Sequence, residues 1–78
     1  MEEKWSNSWE AFTQKIGKLN RTIYLYYFDW GINAVVRDRC DGEIRYRTTT
    51  RNFKLCKTSP TIGDCKERAK RYFKITNQ

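Results

Sequence analysis

The run from Arg21 to Trp30, Arg-Thr-Ile-Tyr-Leu-Tyr-Tyr-Phe-Asp-Trp, limits the fold more than any other stretch of the chain. It is dense in aromatic and β-branched residues and has no helical period, so it predicts a strand. Alternation along a strand sends Ile23, Leu25 and Tyr27 to one side and Tyr24, Tyr26 and Phe28 to the other. Both sides are therefore apolar. Such a strand belongs at the centre of a sheet, or in a sheet with one covered face and one aromatic face left open.

The segments that follow supply its partners. Asp29 to Gly31 reads as a turn, Ile32 to Cys40 as a second strand and Glu43 to Thr50 as a third, with Asp41-Gly42 as a two-residue type I′ hairpin signal between the last two. That turn sets Cys40 opposite Glu43, Arg39 opposite Ile44, Asp38 opposite Arg45, Arg37 opposite Tyr46 and Val36 opposite Arg47. The register offers an Asp38–Arg45 ion pair and an Arg37–Tyr46 cation–π contact. A short fourth strand is predicted over Asn52 to Lys57, with Phe53 and Leu55 inward and Lys54 and Cys56 outward.

Helical periodicity is read at both ends. Trp5, Trp9, Phe12, Ile16 and Leu19 fall at steps of four, three, four and three, which predicts a helix over about 3–17, with Glu2 and Glu3 at its start and Gly17 as terminator. Its stripe suits a core, or a dimer surface built on Trp5 and Trp9. Ser59-Pro60 and Thr61-x-x-Asp64 are helix-start signals, predicting a second helix over about 61–75. Ile62, Cys65, Ala69, Tyr72, Phe73 and Thr76 form its packing stripe. The expected fold is one α+β domain over 1–78 without linkers or repeats. Its order is α-β-β-β-(β)-α: an N-terminal helix, a three- to four-stranded antiparallel meander, and a C-terminal basic helix on one face of the sheet.

Composition narrows the function. The 78 residues can bury only about 60% of the surface they expose when unfolded, which leaves little room for a catalytic cleft. Histidine is absent, no glycine-rich phosphate loop occurs, and the acidic residues sit beside turn glycines or arginines, so no enzyme, cofactor or metal is expected. Cys40, Cys56 and Cys65 match neither a disulfide framework nor a C-x-x-C zinc knuckle and read as free thiols. With no secretory or membrane-length segment, a cytoplasmic location without membrane contact is expected.

The charge is +7, and it is lopsided: residues 1–43 carry six basic and seven acidic side chains, residues 44–78 ten and two. Such a field attracts phosphate polymers or acidic proteins. Lys66, Lys70 and Lys74 recur every fourth residue, flanked by Arg71, as a basic ridge on the last helix. Arg37, Arg39, Arg45, Arg47 and Arg51 offer a second anion surface on the sheet, interleaved with Tyr46 and Thr48 to Thr50 and extended by Lys54 and Lys57. Tyr46, Tyr26 and Trp30 are the candidate rings for base stacking.

The segment Lys66-Glu67-Arg68-Ala69-Lys70-Arg71 resembles the last helix of the double-stranded RNA-binding domain, in which a basic, basic, variable, Ala, Lys pattern opens onto phosphates. The resemblance implies that Lys66 and Lys70 contact phosphates across a major groove. Glu67 stands where that family has a cation, Tyr72 and Phe73 where it has small residues, and Trp30-Gly31-Ile32 lacks its Gly-Pro-x-His loop element. A sheet backed by one helix is also similar to the integrase-arm and AP2 type of β-sheet DNA reader. The expected function is a non-catalytic protein that binds RNA, structured or double-stranded. The alternatives are a small inhibitor or adaptor of the viral or mobile-element kind, acting on an acidic protein or ribonucleoprotein, and a β-sheet DNA binder.

Overall fold

The computed structural model describes residues 8–40, 42 and 46–75. Four strands, β1 (Trp9–Ile16), β2 (Leu19–Phe28), β3 (Gly31–Cys40) and β4 (Tyr46–Lys54), form one antiparallel meander in the order β1-β2-β3-β4, followed by one helix, α1 (Ile62–Phe73). The described residues make a slab 41 × 31 × 18 Å, thin because the helix covers a single face. No helix among them is long and apolar enough to cross a membrane.

The helix predicted over 3–17 is not formed. Its described part is β1, paired with β2 from Trp9↔Tyr26 to Ile16↔Leu19, while Trp5 lies outside the described residues. Gly17-Lys18, read as a helix end, is a two-residue hairpin: Gly17 adopts φ +61° while Lys18 keeps a negative φ, the pattern of a II′ turn. Trp9, Phe12 and Ile16 therefore do not form a helical stripe.

The reason lies in what β1 meets. Glu10, Phe12 and Gln14 share its inward face, and each reaches α1. Glu10 pairs with Lys66 at 2.7 Å, the Lys70 ammonium sits 5.7 Å from the Phe12 ring centre, and the Gln14 amide donates to the Phe73 and Lys74 carbonyls at 3.2 Å each. Two strand residues advance about 6.6 Å and four helix residues about 6 Å, so the two repeats stay in step. A helix over 9–16 would rotate Glu10 and Gln14 away from Phe12's side and leave the α1 terminal carbonyls without this donor.

Ile23, Leu25, Ile32, Ala34, Val36 and Phe53 from the sheet and Cys65 and Ala69 from α1 form the buried core. Cys65 and Ala69 are small, which lets the helix backbone approach the sheet. Thr61 caps α1 with a full capping box, its hydroxyl accepting from the Asp64 amide and the Asp64 carboxylate accepting from the Thr61 amide. Tyr72, expected in the packing stripe, is 55% exposed and carries the Arg51 guanidinium 4.3 Å above its ring. Thr76 lies outside the described residues.

The last hairpin is also corrected. Arg39 pairs with Tyr46 and Asp38 with Arg47, a shift of two residues from the register that a turn at Asp41-Gly42 sets. A two-residue shift preserves which side chains share a face, so Arg37 still lies over Tyr46, 4.1 Å from its centre, along a diagonal. Asp38 takes Arg21 on β2 as its ion partner, at 2.8 and 3.0 Å; Arg45, Glu43 and Ile44 lie outside the described residues. The separate strands predicted over 43–50 and 52–57 are one strand, β4, that ends at Lys54 and leaves Leu55 outside it.

Gly31 has φ +143°, and the Phe53 carbonyl oxygen occupies the place of a Cβ, so the backbones of β3 and β4 meet there. Gly42 also has positive φ, but open space around it. In urea unfolding, Gly31→Ala is expected to lower stability by about 3 kcal/mol or more, and Gly42→Ala by about 1–2 kcal/mol. A second prediction concerns acid. Hydrogen bonds from Lys66 and then Tyr27 hold the Glu10 carboxyl below its usual range, so its contribution is present above that range and lost as pH falls through the lowered pKa. Glu10→Gln is expected to flatten the acid limb of a melting-temperature-versus-pH series relative to the unmodified chain.

Candidate nucleic-acid interface

The register assigns every strand residue to a face. Opposite the helix, the open face carries Trp9, Ala11, Thr13 and Lys15 from β1, and Asn20, Thr22, Tyr24, Tyr26 and Phe28 from β2. From β3 it takes Gly31, Asn33, Val35, Arg37 and Arg39, and from β4 Tyr46, Thr48, Thr50, Asn52 and Lys54. Among these residues there are four cations and no Asp or Glu. The described acidic residues of the strands, Glu10 and Asp38, both lie on the helix side.

Side chains on this face are sorted along the strands. At one end Trp9, directly opposite Tyr26, lies 6.4 Å from it and 6.1 Å from Tyr24, and Tyr24 and Tyr26 are themselves 6.2 Å apart with ring planes 21° from parallel. Phe28 and Trp30 stack at 5.1 Å and 8° beyond them. The same cross-strand row as Trp9 and Tyr26 continues into Asn33 and Asn52, whose amides bond each other at 2.7 Å. Toward the other end the rows become Thr13, Thr22, Arg37 and Thr48, then Lys15, Asn20, Arg39 and Tyr46. Trp9 is 57% and Tyr46 50% exposed, while Tyr24, Tyr26 and Phe28 are half-buried only by one another and their neighbours.

The helix ridge is a different matter. Lys66 is held by Glu10 and Lys70 is 8% exposed with its stem in the helix–sheet seam, so the two cations that carried the double-stranded RNA-binding resemblance face the protein's own β1. Arg71 and Lys74 are exposed. Of the remaining predicted residues, Arg37, Arg39, Lys54, Tyr46 and Tyr26 come together on the open face with Trp30 at its rim. Arg47 and Arg51 belong to the helix side, Lys57 lies exposed in the loop after β4, and Arg45 is outside the described residues.

Trp9, Lys15, Tyr24, Phe28, Asn33 and Asn52 are residues of the open face that the sequence reading did not name as candidates. The signal for those on β1 is the period of two in Trp9, Ala11, Thr13 and Lys15 against Glu10, Phe12 and Gln14, framed by Gly17-Lys18.

Elsewhere, a cleft of about 780 Å³ beneath the C-terminal end of α1 is lined by Gln14, Arg21, Thr49 and Tyr72 among others, with no carboxylate or thiol in its wall. No group of three metal-ligating side chains occurs among the described residues. The three thiols are unpaired. The exposed Cys56 sulfur lies 3.3 Å from the Thr58 hydroxyl and 3.3 Å from the Arg68 guanidinium, and those hydrogen bonds, Thr58 first, pull its pKa down to about 6. Iodoacetamide labelling followed by mass spectrometry is expected to modify Cys56 ahead of Cys40, with a rate midpoint near pH 6 that rises in Arg68→Gln.

The chain matches no protein-family model, no curated protein and no solved structure, and the chemistry of the open face is therefore the ground for a functional reading.

Proposed function

We propose that this is a non-catalytic RNA-binding protein whose contact surface is the open face of the sheet, opposite α1. The observation that carries the reading is the composition of that face: Trp9, Tyr24, Tyr26, Phe28 and Tyr46 beside Lys15, Arg37, Arg39 and Lys54, with no acidic side chain among the described strand residues on that side. Rings and cations on one surface meet the two parts of a nucleic acid, the base planes and the phosphates. Arginine suits the phosphate role because its planar fork bonds two oxygens at once, and Thr48 and Thr50 supply hydroxyls between the cations and the rings. A surface only solubilised by charge would not set three aromatic rings within 6.4 Å of one another. The three unpaired thiols agree with a reducing, cytoplasmic setting for this activity.

The test is a salt-series gel shift with labelled RNA. Arg37→Glu/Arg39→Glu is expected to weaken binding by more than about tenfold and to reduce the log–log salt slope by about 0.7–0.9 for each phosphate contact removed. Arg71→Glu, on the exposed side of α1, is expected to change affinity by no more than about threefold. Loss of binding in Arg71→Glu with retention in the sheet variant would move the interface to the helix. Absence of any shift at low salt would end the RNA reading and turn the search to an acidic protein partner.

A further inference from the structure

On the open face most rings gather at one end, with Lys54 in the row of Phe28, while Lys15, Arg37 and Arg39 lie with Tyr46 toward the other, and this arrangement says more than that a phosphate polymer binds there. Within a duplex every base plane is covered by its neighbours, and only base edges, sugars and phosphates are presented to a protein. A surface evolved for that ligand needs donors and cations at its centre. Here the aromatic end is formed by rings: Trp9, Tyr24 and Tyr26, mutually 6.1 to 6.4 Å apart, with the Phe28–Trp30 stack as a second group. Same-face positions on one strand repeat about every 6.7 Å, so Tyr24, Tyr26 and Phe28 space their rings along β2 at steps that suit separate, unstacked bases.

The polar groups agree with this. Asn33 donates to Asn52 at 2.7 Å, which commits one amide proton and one carbonyl oxygen and leaves the Asn33 oxygen and the Asn52 amide protons as an acceptor and a donor in the row of Trp9 and Tyr26. A paired base has its Watson–Crick edge occupied, whereas an unpaired one can meet such a donor–acceptor pair. Two and three rows further along, Arg37 and Arg39 supply the phosphate contacts, with the Arg37 guanidinium already seated over Tyr46 at 4.1 Å. The helix, which a double-stranded ligand would need as a second contact arm, has Lys66 and Lys70 turned into the fold.

We infer that the open face takes single-stranded RNA, with two or three consecutive unpaired bases lying on the Trp9–Tyr24–Tyr26 tray, Asn33 and Asn52 reading a base edge, and Arg37 and Arg39 holding the backbone. The inference rests on the RNA-binding reading and narrows it from any RNA to unpaired segments. It assigns recognition to five residues, Trp9, Tyr24, Tyr26, Asn33 and Asn52, that a purely electrostatic interface would not use.

Fluorescence anisotropy with three labelled probes tests it: a 10-nucleotide single strand of mixed sequence, the same strand annealed to its complement, and a DNA strand of the same sequence. The single-stranded RNA is expected to bind at least about tenfold more tightly than the duplex. Trp9→Ala and Tyr26→Leu are expected to weaken it by about tenfold each while leaving duplex binding and the salt slope unchanged. Trp9 is the safer variant because more than half of it is exposed, and Leu at position 26 keeps apolar bulk in the sheet; a thermal melt of each variant checks that the fold is retained. Duplex binding as tight as single-strand binding, or aromatic variants without effect, would overturn the inference while leaving the Arg37/Arg39 result to uphold the broader reading. If single-stranded DNA outcompetes the RNA strand, the assignment of RNA falls. If no probe binds at low salt, both readings fall together.

Discussion

The seam between β1 and α1 decides the rest of the molecule. Glu10, Phe12 and Gln14 meet Lys66, Lys70 and the last carbonyls of α1 in that order, so one edge strand anchors the whole length of the only described helix. Each contact alone is small; an exposed ion pair contributes about 0–1 kcal/mol and a cation–π contact about 0.5–1 kcal/mol. Their joint effect is orientation. They flank the core in which Cys65 and Ala69 are buried with Ile32, Ala34, Val36 and Phe53, and that apolar burial commits α1 to one face of the sheet. The other face has no described element over it.

That second face is where the small size of the chain matters. A sheet of four strands with one helix buries one side only, yet β2 is apolar on both. Bulky rings resolve this in part by shielding each other, and cross-strand pairs such as Trp9–Tyr26 contribute roughly 0.2–1 kcal/mol each to the sheet. The aromatic tray thus has a role in stability as well as in any contact with ligand. The basic residues are divided in the same way. Lys66 and Lys70 serve the seam, Arg51 lies over Tyr72, Arg21 binds Asp38, and Arg37 and Arg39 lie on the open face, where no described residue is acidic.

Much of the topology was legible in the residues. β2 and β3, the turn at Asp29-Trp30, the α1 capping box and the two-sidedness of β2 all rest on local signals, namely alternation, β-propensity and turn chemistry. The misread segment is 9–16. Trp9, Phe12 and Ile16 satisfy a helical period while Glu10, Phe12 and Gln14 satisfy a strand period, and Phe12 is inward in both. A window of eight residues holds too few turns for periodicity to choose. The hairpin register failed for a related reason: Asp41-Gly42 favours the tight turn locally, but the pairing that sets Ile32 beside Phe53 and Val36 beside Thr49 outweighs it.

By itself the sequence determined a basic, aromatic-rich chain with a central two-faced strand and a capped C-terminal helix, because these follow from side-chain type and nearest-neighbour spacing. Only the tertiary structure decided that 9–16 is a strand, since its choice rests on the backbone ladder with β2 and on side-chain partners in α1, up to about 60 positions away. The same long-range seam decided which cations are committed within the fold and which face outward. It moved the candidate interface from the helix ridge to the open sheet, because a cation's availability depends on the carboxylates and rings that folding brings beside it.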